Sequence, residues 1–125
     1  MKLLIAATLG ALLHNSISLC FNDRYEMKDI GYEDICDVEF MSGSFMFCRT
    51  DALTAVGGFD DRYFMYLEDA DLSRKIQQAG YRTVYFPTAK VTHLWERASY
   101  KSLQMTWIHI RSAIAYFNKW GWKFL

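Results

Sequence analysis

Five acids fall between Gly57 and Pro87, three of them in the short run Glu68-Asp69-Ala70-Asp71. A histidine, His93, follows two short extended-looking pieces later. Carboxylates at the start of a helix are held in the ionised form by the free N–H groups and the positive end of the helix dipole. An ionised carboxylate can take a proton from a substrate hydroxyl, and an imidazole can bind a metal ion. Each residue also has a plainer account. Acids at helix starts commonly do no more than cap, and capping is the expectation for Asp71. Glu68 and Asp69 differ because the aromatic run Tyr63-Phe64-Met65-Tyr66 leads into them and can form one wall of a pocket. A lone histidine is more often structural than a ligand. His93 has no HxH or HxxxH partner, so a metal there needs ligands from elsewhere. His14 and His109 lie in helix-like stretches and receive no role.

The elements that must carry these residues are legible in outline. Val38–Met41 reads as extended and Ser42-Gly43-Ser44 as a turn. The apolar run Ser44–Arg49 reads as a strand buried on both faces. Thr50 can cap a short helix through Val56, with Gly57 or Gly58 ending it. Phe59–Leu67 is a loop. A helix follows over Asp69–Ala79, with Leu72, Ile76 and Ala79 on one face and Gly80 as its stop. Tyr81–Phe86 is a strand closed by Pro87, and Lys90–His93 a second extended piece. Tyr100–Phe117 is helical, with Leu103, Trp107, Ile110, Ile114 and Phe117 recurring at spacings of three and four. Alternating strands and helices point to an α/β layer.

Composition narrows the class. The 125 residues amount to about one domain, and 14 basic residues balance 14 acidic ones. No net basic stripe is present, which argues against nucleic acid as a partner. The hydrophobic fraction, 52%, and the aromatic fraction, 17%, suit a piece that packs against a further domain, a partner or a membrane surface as well as they suit a core. Cys20, Cys36 and Cys48 are odd in number and form no CxxC pair, so neither a zinc knuckle nor a disulfide framework is indicated, and a reduced, cytosolic setting fits. Cys48 reads as a small buried hydrophobe. The apolar run Leu3–Leu13 is too short to cross a bilayer. It reads as a signal-peptide core, an apolar helix, or a non-native start.

The run from Asp37 through Gly43, Gly57-Gly58 and Glu68-Asp69 to His93, continued by SYKSLQMTWIHIRSAIAYFNKWGW, resembles the acceptor-side half of family 2 glycosyltransferases, especially their rhamnosyltransferase-like members. Several separate motifs occur in the family's order over about Asp23–Trp122. The resemblance implies an α/β fold: a partial GT-A-type sandwich, the acceptor-side half, with a C-terminal amphipathic helix. It implies a division into an apolar segment 1–22, a catalytic half 23–100 and an aromatic helix 101–125. It also implies that Asp69 is the general base beside Glu68, that Ser42, Gly43, Tyr66 and Trp95 lie near the acceptor, and that His93 is a ligand of a divalent Mn or Mg ion. That metal site is completed only with the donor-binding half. Only residues 1–41 precede Ser42, and the D-x-D letters of Asp69-Ala70-Asp71 sit in the acidic motif rather than at a donor site. The donor half, with its own D-x-D, is therefore expected to be absent from this chain. The implied activity is inverting transfer of a sugar, with deoxythymidine-diphosphate-rhamnose as the donor class, to a polysaccharide or lipid-linked acceptor. The implied location is the cytoplasm, at the inner face of the membrane. The rival reading is a non-catalytic piece that binds a membrane surface or partner through the Trp107–Trp122 helix and its bases Arg111, Lys119 and Lys123.

Overall fold

A computed structural model describes residues 31–94 and 103–122. Two units divide the chain, Ile35–Gly121 and Met1–Asp34 with Trp122–Leu125. All the elements named below lie in the first. Their order is β1 (Cys36–Asp37), α1 (Thr50–Ala55), α2 (Glu68–Gln78), β2 (Val84–Tyr85) and α3 (Leu103–Trp120).

β1 and β2 pair antiparallel, Cys36 opposite Tyr85 and Asp37 opposite Val84. Two-residue strands are too short to hold themselves together, and side chains extend the link. The Val38 N–H donates to the Thr83 carbonyl at 3.0 Å. The Gln77 amide, from the last turn of α2, donates to the carbonyls of Val38 and Glu39 and to the Thr83 hydroxyl. The Thr83 hydroxyl in turn donates to the Val38 carbonyl. The C-terminal end of α2 is thereby stitched to the strand pair.

α1 starts at Thr50, with Arg49 rather than Thr50 as its cap and no side-chain cap bond. It ends as its glycines require. Gly57 and Gly58 take φ of +71° and +62°, and their N–H groups close back on the Thr54 and Leu53 carbonyls. That left-handed closure is open to glycine at little cost. α2 runs one residue earlier at each end than its periodicity indicates, and Gly80 (φ +85°) stops it. Leu72 and Ile76 are buried as expected, while Ala79 is exposed. The core gathers these two with Val38, Ala52, Tyr63, Ala70, Tyr116 and Phe117.

Several expectations are corrected. Ser44–Arg49 forms no strand, and Phe47 in its middle is 95% exposed. A continuous apolar run signals burial only where another layer covers it. Cys48 is accordingly half-buried, not enclosed. Strand Tyr81–Phe86 shrinks to Val84–Tyr85, and Lys90–His93 is exposed and outside any strand. Finally, α3 continues past Phe117 to Trp120, and its apolar stripe faces outward. Leu103, Trp107, Ile110 and Ile114 are exposed, while Ser112, Tyr116 and Phe117 face the core.

Candidate functional site

α2 begins after two residues in the left-handed region, Tyr66 (φ 69°) and Leu67 (φ 67°). Side chains with a Cβ populate that region sparsely, and such residues persist where their surroundings hold them. Two contacts from α3 hold them here. The Ser112 hydroxyl donates to the Met65 carbonyl at 2.6 Å, and the His109 ring stacks on Tyr66 with centroids 4.7 Å apart. Burial pushes the His109 pKa below its ordinary value, so the stacked ring is neutral at pH 7. His109 therefore has a role that its position in an apolar helix did not announce.

Glu68 and Asp69 open the helix. Asp69 Oδ2 accepts the Gly43 N–H at 2.8 Å, and Oδ1 accepts the Ala70 N–H at 2.8 Å. The loop that carries Gly43 is fixed alongside. The Met41 N–H donates to Ser73 Oγ at 3.2 Å, and the fully buried Ser73 hydroxyl donates to the Asp69 carbonyl at 2.8 Å. The structure thus brings Gly43 and Asp69 together across 26 positions of sequence. Burial raises the Asp69 pKa, and the Gly43 and Ala70 N–H bonds offset part of that rise. Burial, with a smaller contribution from the Asp69 charge, also raises that of Glu68. Glu68 Oε2 is buried with no hydrogen-bond donor among the described residues. A buried acceptor left unmatched in this way is costly.

A side chain at Gly43 would crowd Asp69. A Cβ there would lie 3.3 Å from Asp69 Cβ and 3.4 Å from Oδ2. Gly43→Val is therefore expected to push the Asp69 carboxylate aside and, if Asp69 carries a reaction step, to lower kcat roughly tenfold or more, since displacements of about 1 Å at a reacting group cost up to ~10²-fold. Steady-state kinetics beside a thermal melt checks this. A valine variant with parental kcat would show that the Gly43–Asp69 bond does not matter.

The other sequence candidates are placed as follows. Ser42 adjoins Gly43 on the exposed loop, its hydroxyl 3.1 Å from that of Ser44. Tyr66 stands on the α3 side of the turn, against His109. His93 is exposed, and among the described residues no group of three His, Cys, Asp or Glu side chains can hold a metal ion. The described residues alone do not fit a divalent ion. Trp95 and Lys123 lie outside the described residues, as do His14 and the Leu3–Leu13 run. A shallow cavity of about 330 Å³ opens at the opposite end of α2, beside Gln77, Arg82 and Thr83, and holds none of the candidates.

Asp71 corrects the capping expectation. It is fully buried and turned away from the helix start. Its carboxylate accepts from Lys119 Nζ at 2.8 Å, Trp120 Nε1 at 2.7 Å and the Tyr63 hydroxyl at 3.3 Å. Lys119 also reaches Asp60 at 2.7 Å, and Arg62 pairs with Asp60 at 2.6 Å. The bonds from Arg62 and Lys119 hold the Asp60 carboxyl well below the usual carboxylate range. Burial opposes the Lys119 charge, but its bonds to Asp60 and Asp71 outweigh burial and raise its pKa. Burial, then the Asp71 and Asp60 charges, raises that of Tyr63, which stays a neutral donor. Lys119 is thus an internal partner, not a surface base. The available signal was a lysine next to a tryptophan at the end of a mostly apolar helix.

Comparison with known proteins gives the family. A family model described as glycosyl transferase family group 2 matches residues 5–124. An N-acetylglucosaminyl-diphospho-decaprenol L-rhamnosyltransferase of Mycobacterium tuberculosis is 50% identical over 56 residues, 45% of this chain and 18% of that protein. The rhamnosyltransferase WbbL of Escherichia coli K12 is 35% identical over 103 residues, 81% of this chain and 38% of that protein. The chain thus spans well under half the length of these curated relatives. No solved structure matches. With a match across nearly its whole length, the chain belongs to glycosyltransferase family 2 and is rhamnosyltransferase-like.

Proposed function

We propose that this chain supplies the acceptor side of an inverting sugar transferase, with Asp69 as the general base. The observation that carries the reading is the Asp69 carboxylate, fixed at the start of α2 by the Gly43 and Ala70 N–H groups. Each carboxylate oxygen keeps a lone pair beyond its backbone bond. An acceptor hydroxyl donates to one of them and attacks the anomeric carbon of the donor sugar. The new C–O bond forms as the bond to the nucleoside diphosphate breaks, and the hydroxyl proton passes to Asp69. A base whose pKa burial has raised takes that proton more readily near neutral pH. Glu68 is the second acid of the site, the Ser42–Gly43 turn lies beside Asp69, and Tyr66, two residues before Glu68, is a further acceptor contact on this reading.

The relatives' names supply the substrate class: L-rhamnose placed on a sugar carried by a polyprenyl diphosphate. Nucleotide-sugar binding falls to residues beyond those described. His93 is the imidazole this chain would add to a divalent metal site completed from there. Isothermal calorimetry of the 125-residue chain with Mn²⁺ is expected to show only weak binding, because one imidazole does not hold a divalent ion. Tight binding would contradict this division of labour.

The work takes place at the inner face of the membrane, where lipid-linked acceptors are presented. No helix among the described residues is long and apolar enough to cross a membrane. The outward stripe of α3 also favours a second reading, a non-catalytic piece that docks on a membrane or partner. One assay separates the two. The intact transferase containing this chain is offered nucleoside-diphosphate-rhamnose and a polyprenyl-diphosphate-linked sugar. Formation of the rhamnosylated lipid supports the first reading. No transfer with any of a panel of nucleotide sugars leaves the second.

A further inference from the structure

The first turn of α2 is held from two sides. Successive helical residues are about 100° apart around the axis, so Asp69 and Asp71 point about 200° apart. Asp69 faces the Gly43 loop, and Asp71 faces the end of α3. Three donors converge on the one Asp71 carboxylate, two of them from consecutive residues of α3, Lys119 and Trp120. A carboxylate with that many fixed donors sets the register between two helices. Two turns earlier, α3 grips the loop before α2 through Ser112 and the Met65 carbonyl. Between the two grips lies the left-handed Tyr66–Leu67 turn that aims Glu68 and Asp69. Such backbone relaxes unless its surroundings over-determine it. A buried ion pair is in itself weak support for stability, and α2 and α3 each bury apolar side chains besides, Leu72 and Ile76 on the one and Phe117 on the other.

We propose that Asp71 and Lys119 are positioning residues of the transfer reaction: their buried pair, with the Ser112–Met65 bond, clamps α3 onto the turn that aims Glu68 and Asp69. The proposal rests on the assignment of Asp69 as the base.

The test uses the intact transferase and separates aim from stability. Lys119→Met leaves a buried charge short of a partner and is expected to lower both the melting temperature and kcat. The double variant Asp71→Asn with Lys119→Met removes both charges, and neutral replacement of a buried pair commonly restores stability. In that variant the melting temperature is expected to return close to the parent while kcat stays at least about tenfold down, with KM for the donor unchanged. Lys119→Arg keeps the charge and should recover most of the activity. Ser112→Ala, which removes only a hydroxyl, should speed hydrogen exchange in residues 63–70 and leave residues 76–85 as protected as in the parent. The acid limb of kcat against pH should also move to lower pH in the double variant, because a loosened Asp69 is better hydrated. If kcat returns with the melting temperature and the acid limb stays in place, Asp71 and Lys119 are structural only. Asp69→Asn is run in parallel. Undiminished transfer by that variant sinks the base assignment, and exchange in residues 63–70 then still decides whether the clamp exists.

Discussion

Asp69→Asn is expected to lower kcat by about 10²–10⁴-fold, the usual loss when a general base is removed. The substitution preserves size, and the asparagine carbonyl can still accept the Gly43 or the Ala70 N–H. The loop and helix start should therefore stay in place, and donor binding should be unchanged. What disappears is the proton acceptor. Steady-state kinetics with a saturating acceptor, together with donor binding measured by calorimetry, checks both halves. Transfer within a few fold of the parent would remove Asp69 from the role and leave Glu68 as the base. On the proposed assignment, the acid limb of kcat in the parent follows protonation of this carboxyl. Because burial raises its pKa, activity should begin to fall at a pH above the ordinary aspartate value of 3.8.

The largest stability effect is expected at Asp71. Asp71→Ala strips the acceptor from the Trp120 indole, the Tyr63 hydroxyl and one side of Lys119. Breaking a buried pair by removing one partner costs about 3–5 kcal/mol, and the retained Asp60 contact of Lys119 favours the lower end, about 3. Urea denaturation of the intact protein measures it. A loss under about 1 kcal/mol, the scale of exposed pairs, would show that the three donors find water or other partners. The surrounding charges give the pH dependence a sign. Asp60 is held below its ordinary pKa, so its contribution is present above the usual aspartate range and fades as pH falls through the depressed folded value. Lys119 is held above its ordinary value, so its contribution is complete at neutral pH and fades only as pH rises through the elevated one.

The helices were legible because their signals are local. Leu72 and Ile76 at helical spacing, acids in the first turn and Gly80 at the end fixed α2 to within a residue. The Glu68-Asp69 pair and its neighbour Gly43 were also reached from the residues and the resemblance, and the structure brings Gly43 and Asp69 into contact. What failed depended on partners distant in sequence. Ser44–Arg49 has strand composition, but a strand needs a neighbouring ladder, and none among the described residues covers Phe47. The stripe from Leu103 to Ile114 has a helix's period, yet period alone does not say which apolar face meets the core. Asp71 looked like a cap because a carboxylate in a first turn looks the same whether its donors are its own backbone or a lysine 48 residues on.

That separation has a consequence for the order in which the site matures on the ribosome. The acidic helix emerges first, and Lys119 and Trp120 follow 48 and 49 residues later. At synthesis rates of about 5–20 residues per second, the interval is several seconds. Throughout it Asp71 has neither Lys119 nor the Trp120 indole, and for most of it the turn before Glu68 has no Ser112 to grip it. A nascent or prematurely terminated chain lacking Lys119 carries the whole Glu68-Asp69 motif without the means to aim it. On the proposed clamp, the acidic pair can be held in place only once α3 is complete.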